Sequence, residues 1–446
     1  MRLSKFTFLI KISKNCYVLY NTINSALILV DEEAYKLLYK GEFSRIPPEL
    51  LSQLKDAGII VDETFDELSL FEYIYSRNRF WGETLNFTIL PTYDCNFMCK
   101  YCYEKSVGNF RKDYMTEEIA RETVDYIKRK LDYFNNVVNS VRIVLYGGEP
   151  LLNFKAVDII HSGIRNLCQE FNKNYKLSII TNGSLLTDRI INHLGLQFID
   201  KIQITLDGPP KVHDQRRPLK GNKGSFQLIW NNLLKIVDLL PLGSIIIRCN
   251  IDYENINSLP LLIDLLDEQG LKHKVGFYVA PTQTPEPCQY LVKKDYIELI
   301  FKALKILVDK NIVHYYNLAW GCTSSRSLFS EIIDPRGFLY KCWGLVGLDD
   351  QIVGSIFSGK NQLYVKYIGY NPLRYDKCQN CSILPFCIGG CHYENYVVLG
   401  DPFKPFCGVV FGPETLKYVL KLRLIARHRD SIKGCIRDIR DILNSS

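Results

Sequence analysis

Leu85-Asn86-Phe87-Thr88-Ile89-Leu90-Pro91-Thr92-Tyr93-Asp94-Cys95-Asn96-Phe97-Met98-Cys99-Lys100-Tyr101-Cys102 sets a short apolar run directly before three cysteines. The run, Leu85 to Leu90, has the length and the β-branched and aromatic content of a buried strand. The loop after it carries a C-x3-C-x2-C spacing. A 4Fe-4S cube has four irons, so three protein thiolates leave one iron open to a substrate or cofactor. A structural zinc site is the alternative, but closed zinc sites take four protein ligands and no His stands close to this loop in sequence.

Working outward from this strand, a repeated unit follows in which a short apolar run precedes a longer helical pattern. Its candidate strands are Leu85 to Leu90, Val141 to Tyr146, Leu177 to Ile180, Lys201 to Leu206, Ser244 to Asn250 and Val275 to Val279. Helical spacing lies between them at Glu117 to Leu131 and Val157 to Phe171, and after the last at Asp295 to Leu307. Strands alternating with helices predict a parallel sheet, and six units predict an α/β fold of the partial (β/α)6 TIM-like barrel kind. In such folds functional residues gather where strands end and loops begin.

On either side of the barrel (residues 81–310) the pattern changes. Residues 1–80 read as a small N-terminal β+α module, with strands at Phe6 to Ile10, Tyr17 to Tyr20 and Ala26 to Val30 and helices at Glu32 to Tyr39 and Pro47 to Ala57. Residues 311–410 are dense in Cys, Gly and aromatic residues, as in a ligand-stapled domain. Residues 411–446 read as an amphipathic helix, its basic stretch Lys417 to Arg440 carrying Leu420, Leu424 and Ile425 at helical spacing.

Composition narrows the function. Of 446 residues 47% are hydrophobic and 23% charged, which fits a folded globular chain. The net charge of +7 is spread among 48 acidic residues, so no nucleic-acid partner is expected. No signal peptide is read at the N-terminus, and no apolar run nears the roughly 20 residues that cross a bilayer. The expectation is a cytoplasmic protein without membrane contact. In that reducing compartment 15 cysteines point to metal or cluster ligation rather than disulfides.

Further motifs fall at the ends of the candidate strands. Tyr146-Gly147-Gly148-Glu149-Pro150 ends the second: paired glycines let backbone approach a ligand closely, and a carboxylate can receive an ammonium. Thr181-Asn182-Gly183 ends the third and Thr205-Leu206-Asp207-Gly208 the fourth, with Arg216 and Arg217 following. Each of these also reads as a simple turn. The C-terminal third holds Cys322, Gly337, Cys342, then Cys378-x2-Cys381-x5-Cys387-x3-Cys391, and Cys407. C-x2-C pairs serve zinc as well, but seven cysteines do not divide into closed four-ligand sites. Cys16, Cys168, Cys249, Cys288 and Cys435 stand singly and read as buried small hydrophobes.

With its C-x3-C-x-aromatic-C loop after the first barrel strand, where Tyr101 is the aromatic, the chain resembles the radical S-adenosylmethionine (SAM) superfamily. The seven-cysteine array resembles that superfamily's SPASM extension, and the whole resembles peptide maturases related to anaerobic sulfatase-maturating enzymes. The resemblance implies a first 4Fe-4S cluster on Cys95, Cys99 and Cys102 whose open iron chelates the amino and carboxylate groups of SAM. Reduction then splits SAM to methionine and a 5'-deoxyadenosyl radical. It places Tyr101 near the adenine, the Gly147-Gly148-Glu149 loop at the amino group, and Thr205 and Arg217 at other polar groups of SAM. Arg216 is the neighbouring alternative, and Thr181 and Asn182 join the cofactor-binding set.

Two auxiliary 4Fe-4S clusters are implied in addition. One takes Cys322, Cys342 and Cys391, and the other Cys378, Cys381, Cys387 and Cys407. Tyr316 stands where some members have a further cysteine, so the first auxiliary cluster is expected to keep an open iron, unless Cys288 or His314 fills it. The implied partners are a precursor peptide or protein side chain as substrate and a low-potential flavodoxin or ferredoxin as reductant. Residues 1–80 are expected either to bind a leader peptide along a sheet edge or to act as a packing extension. Sulfatase maturation is the rival within the family. Trp343 weighs against it, because it follows Cys342 where those enzymes carry a basic Asp. A non-catalytic iron-sulfur electron carrier is the rival of another class. No catalytic residue is assigned from the sequence.

Overall fold

The structure is a computed structural model that describes residues 1–13, 15–102, 112–282, 293–312, 322–408 and 412–427. Cys288, His314, Tyr316 and Cys435 lie outside the described residues. The chain falls into two compact units. One comprises Met1–Asn78, Tyr316–Cys322 and Tyr370–Ser446, and the other Arg79–Tyr315 and Thr323–Gly369. Thr323–Gly369 thus groups with the barrel, while the segment with the last five cysteines of the array groups with the N-terminal module.

In the first unit, β1 (Arg2–Leu3) pairs with β5 (Ile60–Val61), and β2 (Thr7–Ser13), β3 (Cys16–Asn21) and β4 (Leu27–Asp31) form an antiparallel sheet with β3 central. Every residue of β3 is buried, because both of its faces are covered. Val18 and Tyr20 join Ile383, Phe386, Leu416, Leu420 and Leu424, while Tyr17 and Leu19 join Ala34, Leu38 and Leu54. Helix α1 (Glu32–Lys40) starts on Asp31, whose carboxylate accepts from Ala34 N at 2.8 Å, and ends at Gly41 in the left-handed region that glycine enters without a Cβ penalty. The C-terminal helix, Pro413–Arg427, buries Leu416, Val419, Leu420 and Leu424 on one stripe. The remainder of the segment read as helical from sequence lies outside the described residues.

In the second unit, six parallel strands run in sequence order: β6 (Thr84–Ile89), β7 (Ser140–Leu145), β8 (Asn174–Thr181), β9 (Ile199–Thr205), β10 (Ile245–Ile251) and β11 (Gly276–Pro281). They are the six strands expected from the sequence, shifted by no more than a few residues at their ends. Between them α2 (Glu117–Phe134) and α3 (Phe154–Glu170) cover one sheet face, with Ala156, Val157, Ile160, Ile164 and Leu167 buried at helical spacing. The mixed α/β architecture with a large parallel sheet matches the expected class.

A seventh parallel strand is present that the sequence pattern does not announce. β12 (Ser330–Ile333) adds to the free edge of β6, in register Ser330↔Asn86 to Ile333↔Ile89, and turns through Gly337 (φ 81°) into β13 (Phe338–Tyr340). Four residues are too few to show periodicity. Its Glu331 is 3% exposed and accepts from Tyr126 Oη at 2.6 Å and Lys130 Nζ at 3.0 Å, with Lys360 also ion-paired to it. The cations more than offset desolvation, and they hold the carboxyl down at about 2.

A carboxylate depressed in this way contributes stability above its unfolded value near 4.5, and the contribution is lost as pH falls toward 2. Glu331→Gln is therefore expected to cost on the order of 3 kcal/mol at pH 7. Urea midpoints of wild type and variant should lie well apart at pH 7 and converge between pH 4.5 and about 2.

Candidate functional site

The cysteine loop leaves β6 at the C-terminal edge of the sheet and is held there on three sides. From one side the 216–220 segment pairs with it: Met98 N donates to Pro218 O at 2.8 Å, Lys100 N to Arg216 O at 3.0 Å, and Lys220 N to Asn96 O at 2.8 Å. From the end of β8, Asn182 Nδ2 donates to Asn96 Oδ1 at 2.8 Å and lies 3.8 Å from Cys95 Sγ, while Asn96 Nδ2 donates to Ser184 Oγ at 2.9 Å. From the end of β7 comes the Gly147-Gly148 turn. A Cβ on Gly148 would lie 2.5 Å from Tyr93 O and 2.6 Å from the carbonyl carbon of Asp94, and one on Gly147 2.5 Å from Thr92 O. Only glycine allows backbone this close to the loop.

The carboxylate of Glu149, which in sequence stands ready to receive an ammonium, points inward and is fully buried. It accepts from Thr181 Oγ1 at 2.8 Å, Asn182 N at 2.7 Å and Leu151 N at 3.1 Å. Burial pushes its carboxyl up to about 7, against the pull of these donors. Glu149, Thr181 and Asn182 thus form one clamp that ties the ends of β7 and β8 to the cysteine loop. Thr205, at the end of β9, is buried beside this group in the strand order.

Tyr101 turns its hydroxyl into a polar knot. The hydroxyl donates to Asp207, and accepts from Arg217 Nη1 at 2.8 Å and Asn250 Nδ2 at 3.0 Å. Asp207 also accepts from Asn250 N at 3.0 Å. The two adjacent arginines part company here. Arg216 forks onto Asp252 at 2.9 and 2.7 Å, a closed ion pair, and its guanidinium lies over the Tyr101 ring. Arg217 feels the charges of Cys99 and Asp207, and its Nε is buried with no hydrogen-bond partner. The Nε of Arg216 also lacks a hydrogen bond, but its two terminal nitrogens are both taken by Asp252, whereas Arg217 makes no such carboxylate fork. Asn250 and Asp252 were not singled out from sequence, and Asp207 appeared there only within the Thr205–Gly208 turn, without a role. Their signal was only position, at or just beyond the ends of β9 and β10.

Burial raises the Cys95 thiol to about 12, Glu149 and Cys99 adding to it and Arg217 opposing. Among the described residues no three His, Cys, Asp or Glu side chains converge on a single metal ion. A cube, by contrast, takes each thiolate on a separate iron. Three thiols in one loop, glycine backbone against it and a buried guanidinium whose Nε has no hydrogen-bond partner fit an iron-sulfur cube with an anionic ligand.

Residues 89–266 match the model of the Radical SAM superfamily. The barrel belongs to the radical SAM superfamily. Over 96% of this chain and 96% of the relative, the sequence is 23% identical to the radical SAM cyclopropyl synthase TigE of Paramaledivibacter caminithermalis. Over 69% of this chain and 88% of the relative, it is 24% identical to the cysteine-type anaerobic sulfatase-maturating enzyme of Clostridium novyi. Native anSMEcpe, solved with bound AdoMet and the Kp18Cys peptide, shares the fold at a TM-score of 0.60 and 18% identity, covering 77% of this chain and 99% of that one. The chain thus carries a radical SAM match over residues 89–266 and is similar along its length to a cyclopropyl synthase and to sulfatase-maturating enzymes.

Within the first unit, the remaining array cysteines also sit in shaped backbone. Ile388, Gly389 and Gly390 are left-handed in succession (φ 46°, 86° and 88°), which folds the Cys387-to-Cys391 loop tightly. A Cβ on Gly390 would lie 2.7 Å from Phe406 O, directly before Cys407. Cys378 is buried, Cys381 feels the charge of Cys407, and Cys391 that of Cys322.

Gly148→Ala is expected to push the cysteine loop off the end of β7. After anaerobic reconstitution the variant should hold about 4 fewer irons than wild type, one cube's worth. Iron assay and the EPR signal of the reduced cluster check this.

Proposed function

We propose that this chain is a SAM-cleaving peptide maturase, in which Cys95, Cys99 and Cys102 hold a 4Fe-4S cluster and the surrounding clamp holds SAM. The observation that carries the reading is the buried, unpartnered Arg217 Nε beside Cys99 and Tyr101. A guanidinium so placed suits the SAM carboxylate. Because the Glu149 carboxylate is committed to Thr181 and Asn182, the Gly147-Gly148 turn offers the SAM ammonium its backbone carbonyls, and Glu149 keeps that turn in place. Tyr101 and Thr205 complete the wall around the nucleoside. When bound, cluster and SAM together supply a 5'-deoxyadenosyl radical able to abstract hydrogen from unactivated carbon. The protein's part is to orient the substrate C–H bond and keep water and competing hydrogens away.

The substrate is a ribosomally made peptide, modified by a cross-link, ring closure or side-chain oxidation. The match to the cyclopropyl synthase along nearly all of both chains supports this over sulfatase maturation. So does Trp343, which has no basic group where a proton acceptor would be needed. Cys378, Cys381, Cys387 and Cys407 hold an auxiliary cluster, and a low-potential flavodoxin or ferredoxin reduces the protein. The three-stranded sheet of the first unit offers β4 as an edge for pairing a leader peptide.

Reconstituted protein should bind close to 12 irons per chain, on the order of three cubes, and form 5'-deoxyadenosine from SAM under dithionite. The Cys95→Ala, Cys99→Ala, Cys102→Ala triple variant should keep about two thirds of that iron and form no 5'-deoxyadenosine. Zinc in place of iron, or iron without SAM cleavage, would refute the reading. Co-expression with its precursor peptide should give a product lacking two hydrogens by mass spectrometry.

A further inference from the structure

Three arginines stand at the catalytic end of the sheet, and only two have acidic neighbours. Arg216 is paired with Asp252, and Arg217 lies in the field of Asp207 and Cys99. The third, Arg248, lies within β10, directly between Thr205 of β9 and Tyr278 of β11 in register. Alternate residues of a strand face opposite ways. Ile245, Ile247, Cys249 and Ile251 lie on one face of the strand, and Arg248 shares the other with Asn250, whose amide meets both Arg248 and the Tyr101 hydroxyl. Arg248 sits ~6.6 Å below Asn250 along the strand, two residues deeper than the Tyr101 knot.

Its partners are all neutral. Nε donates to Asn250 Oδ1 at 2.8 Å and Nη1 to Tyr278 Oη at 3.2 Å, and Tyr278 in turn donates to Gln203 Oε1 at 2.9 Å. The guanidinium lies 5.6 Å from the Tyr278 ring centroid. Among the described residues no carboxylate is within ion-pair distance of it, and the titratable groups that act on it most are the phenols of Tyr278, Tyr146 and Tyr101. Withdrawing a guanidinium from water is costly without a counter-charge. Arg248 is nevertheless held by two neighbouring side chains, Asn250 and Tyr278, with Nη2 left over.

We propose that Arg248 is a substrate-binding residue that receives a carboxylate of the peptide through Nη1 and Nη2, with Tyr278 and Gln203 as its positioning residues. Planar two-point pairing suits guanidinium and carboxylate. The proposal rests on the reading of this site as one that takes a peptide into the barrel. The carboxylate belongs either to an acidic side chain or to a chain terminus, and it anchors the peptide beneath SAM so that one C–H bond is presented.

SAM-loaded holoprotein is melted with N-acetylglutamate α-amide (a side-chain carboxylate), N-acetylglycine (a terminal carboxylate) and neutral N-acetylglutamine α-amide. At least one carboxylate should stabilise wild type where the amide does not, and which one does so assigns the source. In Arg248→Gln the apparent affinity should fall by at least about tenfold, and in Arg248→Lys, which keeps the charge but loses the fork, by an intermediate factor. Should the Gln variant not fold, the Lys variant decides alone. Equal responses to carboxylate and amide overturn the proposal, as does a carboxylate response undiminished in either variant. A tenfold weaker SAM affinity with the carboxylate response unchanged would give Arg248 to SAM and also overturn it. Formation of 5'-deoxyadenosine by wild type tests the parent reading separately: its absence refutes radical chemistry, whatever the melting curves show.

Discussion

Backbone-to-backbone contact between the Gly147-Gly148 turn and the Thr92–Asp94 stretch holds the candidate site together. Tyr93 O stands 2.5 Å from where a Gly148 side chain would begin. This approach brings the ends of β6 and β7 to one point and leaves the cysteine loop no room to swing. The remaining restraints depend on that position. Asn182 can reach Asn96, the 216–220 segment can pair with the loop, and Tyr101 can reach Asp207, Arg217 and Asn250 only with the loop so seated. Buried polar groups linked in this way stiffen one arrangement, because each lost partner leaves another group unsatisfied in a poorly solvated interior.

Electrostatics divide the site into regions of different character. Arg216 is neutralised by Asp252 and serves as structure. Arg217 stands beside the thiols with a donor unspent, and Arg248 stands deeper among neutral hydroxyls and amides. Three identical side chains therefore differ in what they can still bind. Glu149 shows the same principle from the acidic side. Full burial and several donors make it a tie between strands, not a hand held out to ligand.

Much of the fold was legible in the sequence. Six apolar runs followed by helical spacing gave the parallel sheet, because short strands alternating with longer helices along the chain are joined by crossovers that set neighbouring strands parallel. The cysteine spacings were legible for a related reason, since ligand geometry within one loop is local. β12 was not legible. Its four residues carry a buried Glu331, and a carboxylate inside a sheet reads as a loop until Lys130, Lys360 and Tyr126 are seen around it.

Sequence alone determined the α/β class, the order of the strands, the loop that carries three thiols and the choice of Gly147 and Gly148 at the turn against it, because each depends on residues near one another along the chain. Tertiary structure alone decided which of Arg216 and Arg217 is forked onto a carboxylate, that Glu149 faces inward, that Asp207 and Asn250 belong to the site, and that Arg248 has no acidic neighbour. Those outcomes depend on side chains tens to more than a hundred residues apart, whose burial and charge balance exist only once the sheet has closed around them.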